Sequence, residues 1–312
     1  KALYEYEWCE LLNLNSQIKE VFNRLILEPK EEVLLRSDIP VLQNITNKVS
    51  SRVQDQYETN PYPRWVNLGL GTGPKTISEI VENINLRLSA NEILNVTSPN
   101  ILVAGCGTGQ HPIGTASGFK NSKVLAVDLS LSSLAYAKRK TEELSIQNLE
   151  YMQADILDLR KLEKQFNVIE SSGVLHHMDE PMAGWRVLTE CLSPAGLMKI
   201  GLYSELARQH IVQMREEIDQ VGLELSDDSM RSFRSSVINS EKKHHKKILS
   251  TTDFYSLSTL RDLLFHVQEH RFRIPQIKEC LNELGLKFCG FENPTLVSGF
   301  KRSNPEPDSL FD

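Results

Sequence analysis
Apolar residues along this chain change their period twice. From Leu3 to Ile26 they recur at helical spacing (Leu3, Trp8, Leu11, Leu12, Ile18, Val21, Phe22, Leu25, Ile26). That spacing predicts one or two amphipathic helices ending before Pro29. A further helix is expected over 40–57. The segment DQYETNPYPRW, residues 55–65, carries two prolines two apart and reads as a loop. A helix is expected over 76–90.

From residue 100 the period shifts. Short apolar runs at 101–105, 123–128, 149–155, 166–172 and 196–203 read as strands. The stretches 109–118, 131–145, 157–164 and 181–192 between them read as helices. Nearly continuous apolar strands alternating with helices predict an α/β fold, with a parallel sheet covered on both faces. After Tyr203 the alternation stops. Residues 204–270 read as mostly helical, with a basic run KKHHKK at 242–247. A helix is expected over 274–284. LKFCGFE (286–292) and TLVSGFKR (295–302) read as an antiparallel pair closing the sheet edge, and 303–312 as a disordered tail.

Composition narrows the class. Hydrophobic residues are 40% of 312, enough for a core. The net charge is −6, which disfavours nucleic acid as a partner. No apolar run approaches the roughly 18 residues that cross a bilayer, so no membrane partner is expected. Five cysteines without a CxxC pair read as free thiols, pointing to the cytoplasm. The chain starts at Lys1, so an upstream segment is expected.

The chemistry concentrates in ILVAGCGTGQH. Gly105, Gly107 and Gly109 follow the first strand directly, and the second strand ends at Asp128. Glycines let the backbone approach a nucleoside, and a carboxylate one strand over accepts its ribose hydroxyls. The spacing is GxGxG rather than the dinucleotide GxGxxG, so no pyrophosphate cradle is completed.

With VLAVDLS, MQADILDL, FNVIESSGVLHHM and LSPAGLMKIGLY, this loop resembles the class I S-adenosylmethionine-dependent methyltransferase family. QYETNPYPRW and DFYSLSTLRDLLFHVQEHRF resemble, more narrowly, the methyltransferase domains that terminate bacterial tetratricopeptide-repeat proteins. The resemblance implies a Rossmann-like, doubly wound, mostly parallel sheet of seven strands with a C-terminal antiparallel hairpin. It implies a helical segment at 1–54, a methyltransferase domain at 55–302, and a helical insertion at 204–273 that recognises the acceptor. The implied cofactor is S-adenosyl-L-methionine, held by Gly105, Cys106, Gly107, Gly109, Asp128, Leu129, Asp155, Ile156, Glu170, Ser171 and Val174. Val103 stands where many members of the family carry an acid.

The expected acceptor is a small molecule or a peptide or protein. Where it must lose a proton, His177, Tyr62 and Tyr203 are the catalytic candidates, with His176, Tyr57, Arg64 and Trp65 nearby. Tyr62 and Trp65 read equally as a lid or as a hydrophobic plug. NPYP at 60–63 precedes the glycine loop, so it is not the NPPY grip of DNA amino-methylating enzymes. HVQEH at 266–270 spells H-x-x-E-H, which on a helix would place His266 and His270 on one face. No third ligand is evident, and no metal is expected; His266, His270 and Arg271 read as acceptor contacts or simply as part of a surface or core helix. KKHHKK reads as a solvated face. A non-catalytic cofactor-binding module and a nicotinamide oxidoreductase are the alternative functions.

Overall fold
A computed structural model describes residues 2–12, 15–71 and 73–306. The expected disordered tail falls largely on 307–312, outside the described residues. Five strands form one all-parallel sheet: β1 (Asn100–Ala104), β2 (Lys123–Asp128), β3 (Leu149–Gln153), β4 (Phe166–Ser172) and β5 (Leu192–Gly201), in the order β3-β2-β1-β4-β5. The order reverses between β1 and β4, which is the switch point where such sheets bind ligands. Ile101, Leu102, Val103 and Ala104 are all fully buried, as a central strand covered on both faces requires.

Ahead of the sheet come α1 (Lys19–Phe22), α2 (Glu28–Leu35), α3 (Lys48–Thr59) and α4 (Ile77–Asn83). Pro29 does not end the first helical run as expected. It sits in the first turn of α2, immediately after a π-helical turn at Asn23–Leu27. A proline removes one helical N–H, and a widened turn just before it leaves that loss without a broken ladder. Residues 40–47 are extended rather than helical. There Leu42 N–H donates to the Gln153 carbonyl and Gln153 N–H to the Pro40 carbonyl, so the segment pairs locally beside β3. Asn47 then caps α3, accepting from the N–H groups of Val49 and Ser50. The helix expected over 76–90 is shortened to α4.

Helices α5 (Gln110–Gly118), α6 (Leu131–Glu143) and α7 (Pro181–Glu190) connect the strands. Buried Arg139 on α6 pairs with Glu28 and Glu32, fastening α2 to the sheet layer. Beyond β5 lie α8 (Gln209–Val221), α9 (Asp227–Ile238), α10 (Lys243–Ile248) and α11 (Leu257–Phe265). They enclose a core of their own, including Ile211, Met214, Met230, Val237, Phe254 and Leu260. Then follow α12 (Ile274–Glu283) and α13 (Pro294–Ser303).

The expected antiparallel hairpin is a correction. Residues 286–293 form no strand, and TLVSGFKR lies inside α13. Asn293 accepts from Leu296 N–H and Pro294 occupies the first turn, so a helix-start signal overrides the β-branched composition. Two strands of the expected seven are thus missing among the described residues. No helix among them is long and apolar enough to cross a membrane.

Candidate functional site
The glycine loop leaves β1 and enters α5 with Gly105, Gly107 and Gly109 at φ +76°, +51° and +89°. These left-handed conformations favour glycine. A side chain at Gly105 would collide with Val174, and one at Gly109 would stand 2.6 Å from Ala137 Cβ. At Gly107 the neighbour is different: the Tyr62 carbonyl, 2.9 Å from where a Cβ would lie. Cys106 is buried, and its backbone N–H donates to the Val127 carbonyl.

Asp128 closes the bend from the adjacent strand. Gly107 N–H donates to its Oδ2 (2.8 Å) and Ser130 N–H to its Oδ1 (3.0 Å). With Leu129 N–H as a third donor, the carboxylate still has acceptor capacity for a hydroxyl. Burial pushes this carboxyl above the usual range, while the N–H groups of Ser130, Gly107 and Leu129 pull it down. The Leu129 carbonyl accepts from Gln153 Nε2 (2.8 Å). Asp155 is buried two residues beyond Gln153, the register partner of Asp128, and it caps the turn beginning at Ile156 by accepting from Leu157 N–H. These groups therefore share one sheet edge. Ser171 Oγ is buried there without a partner.

Glu170 departs from expectation. Its carboxylate accepts from Thr115 Oγ1 (2.5 Å) and lies 3.1 Å from His111 Nε2, both on α5. It lines a cavity of about 2030 Å³ running along β5, not the glycine bend. That groove follows mainly the free edge of β5. The convergent polar groups that mark a binding site gather at the bend instead.

A strap, residues 60–65, lies over the bend. Trp65 Nε1 donates to the Thr108 carbonyl (3.0 Å), and Thr108 Oγ1 donates to the Pro63 carbonyl. Trp65 packs edge-on against Tyr136 and is buried, so it is the plug of the two expected roles. Tyr62 is only half-buried, and Arg64 is exposed, its guanidinium 5.9 Å above the Tyr136 ring. Upstream, Glu58 accepts from the first N–H groups of α6, those of Leu131 and Ser132, which fixes the end of α3 beside Asp128.

Next to the strap, four parts of the chain bring rings together. His176 stacks on Tyr203 (3.7 Å between centroids) and His177 on His266 (3.6 Å), with Tyr203 edge-on to His177 and Tyr57 5.9 Å from His266. His177 Nδ1 and His266 Nδ1 both face the Gln268 carbonyl, at 2.6 and 2.9 Å. Arg208 lies 3.6 Å over the Tyr203 ring and makes a two-pronged pair with Glu269. HVQEH is not helical: α11 ends at Phe265, and 266–272 runs extended beside the end of β5, where Phe272 N–H donates to the Tyr203 carbonyl. The i, i+4 face therefore does not exist. His270 contacts Gln268 and the His176 carbonyl rather than His266, and Arg271 pairs with Glu269.

Residues 101–196 match the profile of a methyltransferase domain. An uncharacterized protein of Synechococcus sp. is 27% identical over 221 residues, covering 68% of this chain and 51% of that protein. Phosphoethanolamine N-methyltransferase 1 of Arabidopsis thaliana is 27% identical over 155 residues, covering 50% and 29%. PKMT2 from Rickettsia typhi, solved in complex with AdoHcy, superposes with a TM-score of 0.54 at 19% identity, covering 77% of this chain and 50% of that one, and shows the shared fold. The chain spans about half the length of the Synechococcus and Rickettsia proteins it matches, and less of the Arabidopsis one. Together these findings show that residues 101–196 are similar to methyltransferase domains, whose cofactor is S-adenosyl-L-methionine.

Around the bend and the ring cluster the titratable groups are sharply sorted. Burial drives His176 and His266 down to about 2, and His177 to about 4, so all three rings are neutral at neutral pH. Burial raises Tyr203 to about 12 and lifts Tyr62 further, leaving both as phenols. The candidate bases read from sequence are thus a weak base and two poor ones. The exception is a residue given no role by the sequence: Asp262 on α11. It is buried, accepts from Tyr57 Oη at 2.5 Å, and burial raises it to about 6. Tyr57 in turn feels the charge of Asp128. No local pattern singles out Asp262; its significance arises only when α11 meets α3.

Proposed function
We propose that the chain transfers a methyl group from S-adenosyl-L-methionine to a small-molecule or peptide acceptor held between the sheet edge and the 204–273 segment. The observation that carries this reading is Asp128. A carboxylate at the end of β2, ordered by the N–H groups of Gly107, Ser130 and Leu129, fits the ribose of a nucleoside. Asp155 and Ile156 would line the adenine; Gly105, Cys106, Gly107, Leu129, Ser171 and Val174 would bound the rest. Glu170, engaged by α5, would act only through that helix.

The bound sulfonium supplies an activated methyl group. The protein's part is orientation and exclusion of water. The strap over Gly107 serves as a lid, because the Tyr62 carbonyl occupies the space above that glycine. The acceptor side comprises Tyr57, Tyr62, His177, Tyr203 and Asp262. Asp262, acting through the Tyr57 hydroxyl, takes a proton from the acceptor; His177 and Tyr203 form the pocket wall. A group poised near the working pH is the more effective base.

Calorimetric titration with S-adenosylmethionine, followed by incubation of the protein and labelled cofactor with a lysate resolved into small molecules and proteins, tests the reading. Binding with label transfer to one fraction supports it. Binding without transfer would leave a cofactor-binding module, and NADH binding in place of S-adenosylmethionine would overturn it.

A further inference from the structure
The four lysines of the basic run KKHHKK are exposed, as a solvated face requires, but its two histidines turn inward. His244 and His245 are sequence neighbours, and neighbours on a helix normally diverge by about 100°. Here, at the start of the short helix α10, both rings turn onto one carboxylate of α8. His244 Nε2 lies 2.9 Å from Glu217 Oε1 and His245 Nε2 lies 2.7 Å from Glu217 Oε2. The rings are edge-on, 4.5 Å apart. The three donor atoms all fall within 4.8 Å of one another. His245 is 5% exposed and its Nδ1 has no partner, whereas His244 and Glu217 reach solvent. A cavity of about 540 Å³, lined in part by Glu217, Phe233, Lys242 and His245, opens beside them.

We infer that Glu217, His244 and His245 form a site for a borderline divalent transition metal, of which zinc is the natural probe. Two imidazole nitrogens and a carboxylate oxygen are donors such ions prefer over magnesium or calcium. Bond lengths of about 2.0–2.2 Å place tetrahedral ligands about 3.3 Å apart, so admitting the ion spreads the present contacts by roughly half an ångström. A fourth position faces the cavity and solvent. The metal joins α8 to α10 across the small core of the 204–273 segment, far in sequence from the glycine bend. Lys242 Nζ, 2.7 Å from Glu217 Oε1, competes with the metal, but it ends a flexible side chain that is 58% exposed.

The test is zinc titration of the full chain by calorimetry, with cobalt(II) absorption reporting a tetrahedral N/O site and thermal melts run in parallel. One ion per chain is expected, with a melting temperature raised by several degrees. His244→Asn and Glu217→Gln should each weaken binding at least tenfold and abolish the thermal gain. Lys242→Ala should strengthen binding several-fold. Should His245→Asn fail to fold, the more exposed His244→Asn still decides. His266→Asn, altering the other histidine cluster, should leave zinc affinity unchanged. Zinc binding that survives His244→Asn and Glu217→Gln, or a chain that binds none, overturns the site and shows Glu217 to be a hydrogen-bonding anchor only. S-adenosylmethionine affinity in His244→Asn, Glu217→Gln and Lys242→Ala should not change, which keeps this outcome separate from the methyltransferase reading.

Discussion
The glycine bend and the histidine–tyrosine cluster lie side by side but are built in opposite ways. The bend is made from one stretch of chain and one neighbouring strand end. Its groups are held by backbone hydrogen bonds, and its carboxylate faces main-chain N–H donors. The cluster gathers side chains from α3, the loop after β4, the end of β5 and the extended run after α11. Its groups are ordered by stacking and desolvation. The first arrangement suits a ligand that is always the same; the second suits an acceptor that differs from one enzyme to the next.

The largest expected effect separates the two directly. Asp262→Asn should cut kcat for methyl transfer by roughly 10²–10⁴-fold, the usual contribution of a positioned base. S-adenosylmethionine affinity should stay within about threefold. In the native protein kcat should rise with pH through about 6, where Asp262 ionises. The same substitution should stabilise the protein at pH 8 by on the order of 1–3 kcal/mol. A carboxyl raised in the folded state contributes stability below its unfolded value, and that contribution is lost as pH rises through about 6. A stable variant of undiminished turnover would remove Asp262 from the mechanism.

Acid should damage the cluster before the bend. His176, His177 and His266 are buried and held neutral, well below the free value of 6.5. Their depressed values mean that the unfolded chain takes up protons first. Stability is therefore complete above about pH 6.5 and falls below it, by about 1.4 kcal/mol per ring for each pH unit until the folded value is reached. Thermal melts between pH 7.5 and 5.5 should show the decline, and His266→Asn should make it shallower. An unchanged slope in that variant contradicts the assignment.

The smallest effect concerns the strap. Trp65→Phe keeps the apolar plug but removes the Nε1–H donor to the Thr108 carbonyl, and should cost about 1 kcal/mol of stability. Chemical denaturation measures it; a change much above 3 kcal/mol would mean that the strap carries more of the fold than its contacts imply.

Legibility followed the same division. Strands β1, β2 and β4, the glycine spacing and Asp128 all stand in the chain as local pattern, and each lies where that pattern put it. Where neighbours decide, local pattern misleads. Pro29 reads as a stop because a π-helical turn is invisible in composition. TLVSGFKR has the composition of a strand, although Asn293 and Pro294 open a helix. HVQEH has helical spacing, yet the backbone around it bonds to Tyr203 and His176 rather than to itself. Asp262 and Glu217 carry no local signal at all, since their partners lie 205 and 27–28 residues away.

The central claim is that a nucleoside sulfonium rests on the bend with its ribose on Asp128. Calorimetric titration of S-adenosylmethionine into the native protein and into Asp128→Asn tests it most directly. Loss of charged hydrogen bonds worth about 1.5–3 kcal/mol should weaken binding roughly 10- to 100-fold while the melting temperature shifts by only a few degrees. Equal affinity in the two proteins would contradict the account.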